Sequence, residues 1–154
     1  MKINMKNIMP PTAFRVFLRT NPMINAEIRS KILRSLNILK KNNEPQISER
    51  IKKLNMEWDT ERVLETDAAV MIILSSYLGR KTSGKWNYVT LIIGCCVLLH
   101  ALQGWCPSLP IIRKWGVRTE DEINLEKMAL KIMRGDFTGE MEDVSDLLDR
   151  VEKQ

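Results

Sequence analysis

The sequence predicts an all-α protein: a two-helix transmembrane hairpin flanked by amphipathic cytoplasmic helices. Three observations predict it. Trp86 to Ile112 contains no Asp, Glu, Lys or Arg. Charge is distributed in three blocks rather than evenly. Apolar residues outside the uncharged stretch recur at helical spacing. The chain has 154 residues, 44% of them apolar and 28% charged, which suits one small domain or a short membrane segment with soluble arms. That composition fits neither a disordered chain nor a polytopic transporter. Three cysteines are too few for a disulfide scaffold.

The blocks define the expected organisation. Residues 1–62, a basic N-terminal helical arm, hold 13 Lys/Arg against 6 Asp/Glu. Residues 63–112, the membrane hairpin, hold 3 against 2, and residues 113–154, an acidic C-terminal helical tail, hold 8 against 11. A basic front suits nucleic acid or an anionic membrane surface. No zinc-finger spacing, Gly-rich phosphate loop or stacking motif accompanies it, so no nucleic-acid partner is expected, and membrane lipid is.

The spans are expected at about 63–79 and 86–105. A bilayer core of about 30 Å needs about 20 apolar residues as helix, and 86–105 supplies them. Trp86 and Tyr88 stand at one end and Trp105 at the other, where amphipathic rings favour the two interfaces. Pro107 disfavours helix at Cys106 and closes the segment. The first span is weaker, because its uncharged part is only 68–79 and Glu65 and Asp67 lie upstream. A lone second span and a buried soluble helix are the alternatives. The connection RKTSGK (80–85) is short enough for an antiparallel hairpin. Eight flanking cations on the terminal side, Arg113 among them, outnumber the three of the loop, which places both termini in the cytoplasm.

Pro22 opens a helix at its first turn, with Ile28, Ile32, Leu36 and Leu39 on one face. That face suits either lipid or residues 47–57, whose apolar positions are Ile47, Ile51 and Leu54. Thr119 and Glu122 have capping-box spacing. Leu125, Met128, Ala129, Ile132 and Met133 then form a stripe that ends at Gly135, and a last helix should carry Val144, Leu147, Leu148 and Val151.

Few residues carry candidate chemistry. His100 is the only histidine, and a titratable group inside a span is a functional candidate. Cys96 and Gln103 share its face, which is at best half a metal or haem site, so no metal or cofactor is expected; the plainer reading of His100 is a hydrogen bond to the neighbouring helix. Cys106, near Arg113 and Lys114, should have a thiol activated by cations, or else simply close the helix with Pro107. Gly94 and Ala101, seven apart, offer a small-residue face for a helix–helix or dimer contact. No Ser–His–Asp set or carboxylate pair forms a catalytic constellation, so no catalytic residue is assigned. Glu61 and Glu65 read as capping and pairing with Arg62.

The stretch 86–117, with GWCPSLPIIRKWGV after an apolar helix, resembles the YgaP-like inner-membrane domain, and the longer runs EWDTERVLET (57–66), LLHALQGWCPSLPIIRKWGVRTEDEI (98–123) and EKMALKIMRGDF (126–137) resemble a standalone subgroup of it with extended soluble arms. That bacterial family of unknown function has a two-helix hairpin and a Gly-aromatic-Cys-Pro signature, here Gly104, Trp105, Cys106 and Pro107. The resemblance implies a bacterial inner-membrane location and a homodimer. Some relatives are fused to a rhodanese sulfurtransferase, which implies a sulfurtransferase-related cytoplasmic partner; this chain carries no such domain. Three functions follow: a non-enzymatic dimerising hairpin that presents cytoplasmic helices to a partner, a thiol-based sulfur or redox relay at Cys106, and a soluble helical interaction module.

Overall fold

A computed structural model describes residues 10–11, 14–40 and 44–137. Among these, seven helices and no strand are present: α1 Arg15–Arg19, α2 Pro22–Leu39, α3 Glu44–Asn55, α4 Thr60–Lys81, α5 Trp86–Gln103, α6 Leu109–Lys114 and α7 Glu120–Arg134. The all-α class holds. The helix expected around Val144–Val151 lies outside the described residues.

The chain divides into two compact units. The first comprises residues 1–30 and 58–122, the second 31–57 and 123–154. The basic arm and the acidic tail each contribute to both.

In the first unit, α4 and α5 form an antiparallel helical pair. Asp59 caps α4 by accepting from the Arg62 backbone N–H at 2.7 Å, the strongest kind of helix start signal. The caps expected from Glu61 and Glu65 are not the ones used. Glu61 instead binds Arg15 (2.7 Å), and Arg62 stacks on Trp58 with 4.5 Å to the ring centroid. Toward the loop the two helices approach closely. Ser75 and Thr90 share a hydroxyl–hydroxyl hydrogen bond of 2.7 Å, and a Cβ on Gly79 would stand 2.3 Å from the Asn87 side-chain oxygen. Gly94, the small residue expected to pack, has nothing within 4 Å of a built Cβ.

Helix α5 ends at Gln103, two residues short of the expected Trp105. The stop comes from Gly104 rather than Pro107: Gly104 adopts φ +73°, the left-handed helix-ending conformation. A Cβ there would also meet the Arg15 backbone at 2.6 Å. Arg15 then closes the base of the pair. It donates to the Ala101 carbonyl at 3.0 Å and forks onto both Glu61 oxygens, so one cation serves the exposed carbonyl end of α5 and the start of α4.

Beneath the pair, Val16, Leu64, Cys106, Leu109 and Ile112 form a small core with Val63 and Val117 against it. Thr60 ties in the segment between α6 and α7, its backbone N–H and hydroxyl both donating to the Arg118 carbonyl at 2.8 and 2.9 Å. Arg113, expected as a membrane-flanking surface cation, is fully buried. Its guanidinium donates to both Glu122 oxygens (2.7 and 2.8 Å), Asn25 Oδ1 (2.9 Å), the Val117 carbonyl (3.0 Å) and Thr20 Oγ1 (3.2 Å). Glu122 also completes the expected capping box: it accepts from the Thr119 N–H at 2.9 Å, and its own N–H donates back to Thr119 Oγ1 at 3.3 Å. The one carboxylate therefore both caps α7 and neutralises a buried cation.

In the second unit, Ile47, Ile51 and Leu54 of α3 pack with Ile123 and Leu130 of α7, and Leu36 and Leu39 of α2 cover them. The apolar face of α2 thus reaches residues 47–57. The expected stripe on α7 is turned outward: Leu125, Met128, Ile132 and Met133 are exposed, and Ile123, Glu126 and Leu130 are buried. Glu126 lies on the inner face with the core residues Ile123 and Leu130. It accepts from Ser35 Oγ at 2.7 Å and from Arg50 at 3.0 and 3.2 Å, and a buried carboxylate needs such partners.

Two substitutions test this account. Gly104→Ala should lower unfolding stability by about 2 kcal/mol or more, because a side chain in that φ region is strained and the Arg15 backbone blocks it. Glu122→Ala should cost about 3 kcal/mol by leaving the buried Arg113 unpaired. Denaturant unfolding followed by circular dichroism measures both, and a loss under 1 kcal/mol in either would contradict it.

Candidate functional site

The sequence signature lies at the base of the α4–α5 pair, and each of its residues has a structural task. Gly104 ends the helix and admits α1. Trp105 stays exposed. Cys106 is 4% exposed and sits in the core. Pro107 and Ser108 form the turn into α6, whose Pro110 lies in its first turn. No interfacial thiol results, since Val16, Leu64, Leu109 and Ile112 enclose Cys106.

Above that turn, a cleft of about 210 Å³ opens between α4 and α5. Its walls are mainly apolar: Leu64, Ala68, Met71, Ile93 and Val97. Glu65 and Asp67 stand at the cleft and are themselves exposed. His100, Cys96, Cys106 and Ser108 supply its remaining polar lining. Helical spacing explains why Cys96 and His100 share this lining, one turn apart on α5. Cys95 points elsewhere and is exposed.

His100 departs from expectation. Both ring nitrogens are shielded from solvent, and neither makes a hydrogen bond to the protein, so the expected bond to a neighbouring helix is not made. A shielded polar atom without a partner is destabilising by about 1–3 kcal/mol. The imidazole does lie beside Cys106 and favours its thiolate chiefly as a nearby hydrogen-bonding group, with a smaller coulombic part, although neither ring nitrogen reaches hydrogen-bond geometry.

The Cys106 thiol has a pKa below the ordinary cysteine value. Burial is the largest influence and pushes it up. The His100 ring, the Ser108 hydroxyl (3.3 Å from Sγ) and the Leu109 backbone N–H together outweigh burial and pull it down. The activation expected from Arg113 and Lys114 is not the cause. Arg113 is spent on Glu122, and the groups that lower the thiol are neutral donors and the imidazole.

Among the described residues, no group of three or more His, Cys, Asp or Glu side chains is placed to hold a metal ion. No protein-family model, curated protein or solved structure matches the chain. What the geometry provides is therefore a small apolar cleft, one shielded imidazole and one depressed thiol. Sequence reasoning found His100, Cys96 and Cys106 and their helical spacing. It missed the roles of Ala68, Met71 and Ser108, since facing helices are related only through the hairpin register.

Because its folded pKa is lowered, the Cys106 thiolate should form at lower pH than the thiolate of the unfolded chain. Alkylation of Cys106 in a Cys95→Ala, Cys96→Ala background should reach half its maximal rate at a lower pH than in denaturant. His100→Phe should move that midpoint upward. A midpoint unchanged by His100→Phe removes the imidazole's influence.

Proposed function

We propose that this chain is a non-enzymatic bacterial inner-membrane protein: a dimerising helical hairpin that holds cytoplasmic helices for a protein partner. One observation carries the reading. None of the 18 residues of α5 is buried, although the helix is almost wholly apolar. It is the one helix among the described residues long and apolar enough to cross a membrane. Leu91, Ile92, Val97, Leu98, Leu99 and Leu102 are exposed on it, and Val70, Ile73, Leu74 and Tyr77 are exposed on α4. An apolar surface of this extent needs lipid or another chain to cover it.

The depths of the charged residues agree. As helix, α5 is about 27 Å long, close to a bilayer core. Glu65 and Asp67 lie within two turns of the α4 start, about 8–11 Å along it. Such carboxylates suit the headgroup zone rather than the midplane. The uncharged stretch 68–79 is about 18 Å long, so α4 enters from the same side as α5 leaves and lines the span more than it crosses alone. Exposed Trp86 and Tyr88 at one end and Trp105 and Trp115 at the other match the preference of such rings for the two interfaces. With the buried Arg113 and Arg118 left out, six flanking cations, Lys114 among them, stand against Arg80, Lys81 and Lys85 in the loop and favour cytoplasmic termini.

Gly94, open on the surface of α5, leaves with Ala101 a small-residue face for a second copy. The outward stripe Leu125, Met128, Ile132 and Met133 on α7 is a face for a cytoplasmic protein, of the sulfurtransferase-related kind that the family resemblance implies. A second reading, a thiol that relays sulfur or electrons, is favoured by the depressed pKa of Cys106 beside His100.

The full chain, expressed in a bacterium, should stay in the membrane pellet after alkaline carbonate washing and need detergent for release. Recovery as a dissolved, compact monomer without detergent would overturn the membrane reading.

A further inference from the structure

We infer that the cleft between α4 and α5 is a binding site for a small, uncharged ring compound bearing one hydrogen-bonding oxygen, of the size and kind of a phenol. The site lies wholly within one compact unit and is argued from the residues of that unit alone.

Size comes first. A dry cavity of roughly 150 Å³ accepts benzene, and this cleft offers about 210 Å³. A six-membered ring with one or two small substituents fits, and a nucleotide or a peptide does not. The chemistry of the walls comes next. Leu64, Ala68, Met71, Ile93 and Val97 present carbon to the space, which suits a ring and offers nothing to a polyol or sugar. An apolar pocket with few convergent polar groups is the usual form of a small-molecule site.

Polarity then selects the substituent. Cys106 and Ser108 are occupied with each other at 3.3 Å. His100 is the group left over, with both nitrogens shielded and neither bonded to the protein. An imidazole ring offers an N–H donor and, in its neutral form, an acceptor nitrogen as well. A hydroxyl can serve either nitrogen, accepting from the N–H or donating to the lone pair. Charge narrows the class further. Glu65 and Asp67 at the cleft repel a carboxylate or phosphate, and the chain places no Lys or Arg among the lining residues to hold one.

The lone histidine makes the test direct, since the full chain labelled at histidine gives a single imidazole signal. In detergent micelles at neutral pH, 4-methylphenol should shift that signal saturably. Toluene, the same ring without the hydroxyl, should bind at least tenfold more weakly, and benzoate should leave the signal in place. Ala68→Phe, which fills the cleft, should weaken 4-methylphenol by at least tenfold. A signal unmoved by 4-methylphenol would hand the imidazole to water and remove the site. A shift that rises linearly without saturation, the mark of partition into detergent, would also overturn it, as would equal binding of toluene or benzoate. If Ala68→Phe does not fold, the comparison of the three compounds in the unaltered chain decides alone; if it folds and binds equally well, the cleft is not the site.

Discussion

A buried guanidinium holds this protein's base together. Arg113 has no contact with solvent, and its donors are met by Glu122, Asn25, Thr20 and the Val117 carbonyl. Those partners come from the end of α1, the start of α2, the segment after α6 and the first turn of α7. A charge out of water is tolerated only when paired and fully hydrogen-bonded, so these segments must converge wherever Arg113 is placed. The consequence reaches the signature. With α6 pinned by Arg113, Leu109 and Ile112 face inward, and Cys106 is drawn into the core with Val16 and Leu64. What looked like a reactive surface thiol is an enclosed one, tuned by its nearest neighbours.

The two ends of the first unit follow opposite physical rules. At the base, apolar side chains are buried among one another and polar groups are paired. Along the α4–α5 pair, the apolar side chains point outward and the polar hydroxyls of Ser75 and Thr90 meet between the helices. This outward apolar surface, with the Ser75–Thr90 bond between the helices, is the feature on which the proposed membrane reading rests. In water, the hydrophobic effect would favour the reverse. The cleft lies where the two regimes meet, below the close helix contact at Gly79 and above the packed base. There the helices are held apart far enough to leave space, and His100 is screened from solvent without being given a partner. A site that leaves a polar ring unbonded in an apolar cleft has the character of a recognition feature rather than of a packing solution.

The second unit reaches its stability differently, through a small aliphatic core with one buried carboxylate. Glu126 is matched by Arg50 and Ser35, so a charge from the basic arm meets one from the acidic tail. Glu126 faces inward on α7 together with Ile123, Leu130 and Lys131. With that face inside, Leu125, Met128, Ile132 and Met133 remain outside, a stripe with helical spacing that no described residue of the core covers.

The sequence by itself determined the local and periodic features, because these depend on neighbours three or four residues apart. Pro22 opening α2, the Thr119–Glu122 capping box, the Ile28–Leu39 face, Gly135 closing α7 and the uncharged helix from Trp86 were all legible on that ground. The placement of Cys96 and His100 on one face was legible for the same reason. Tertiary structure decided what depends on partners distant in the chain. The packing of α1 against Gly104 needed Arg15, eighty-nine positions away in sequence. The burial of Arg113 needed Asn25 and Thr20, and that of Glu126 needed Arg50 and Ser35. Periodicity marks which residues share a face, but which face goes inside depends on partners distant in the chain, and a buried charge cannot do without them.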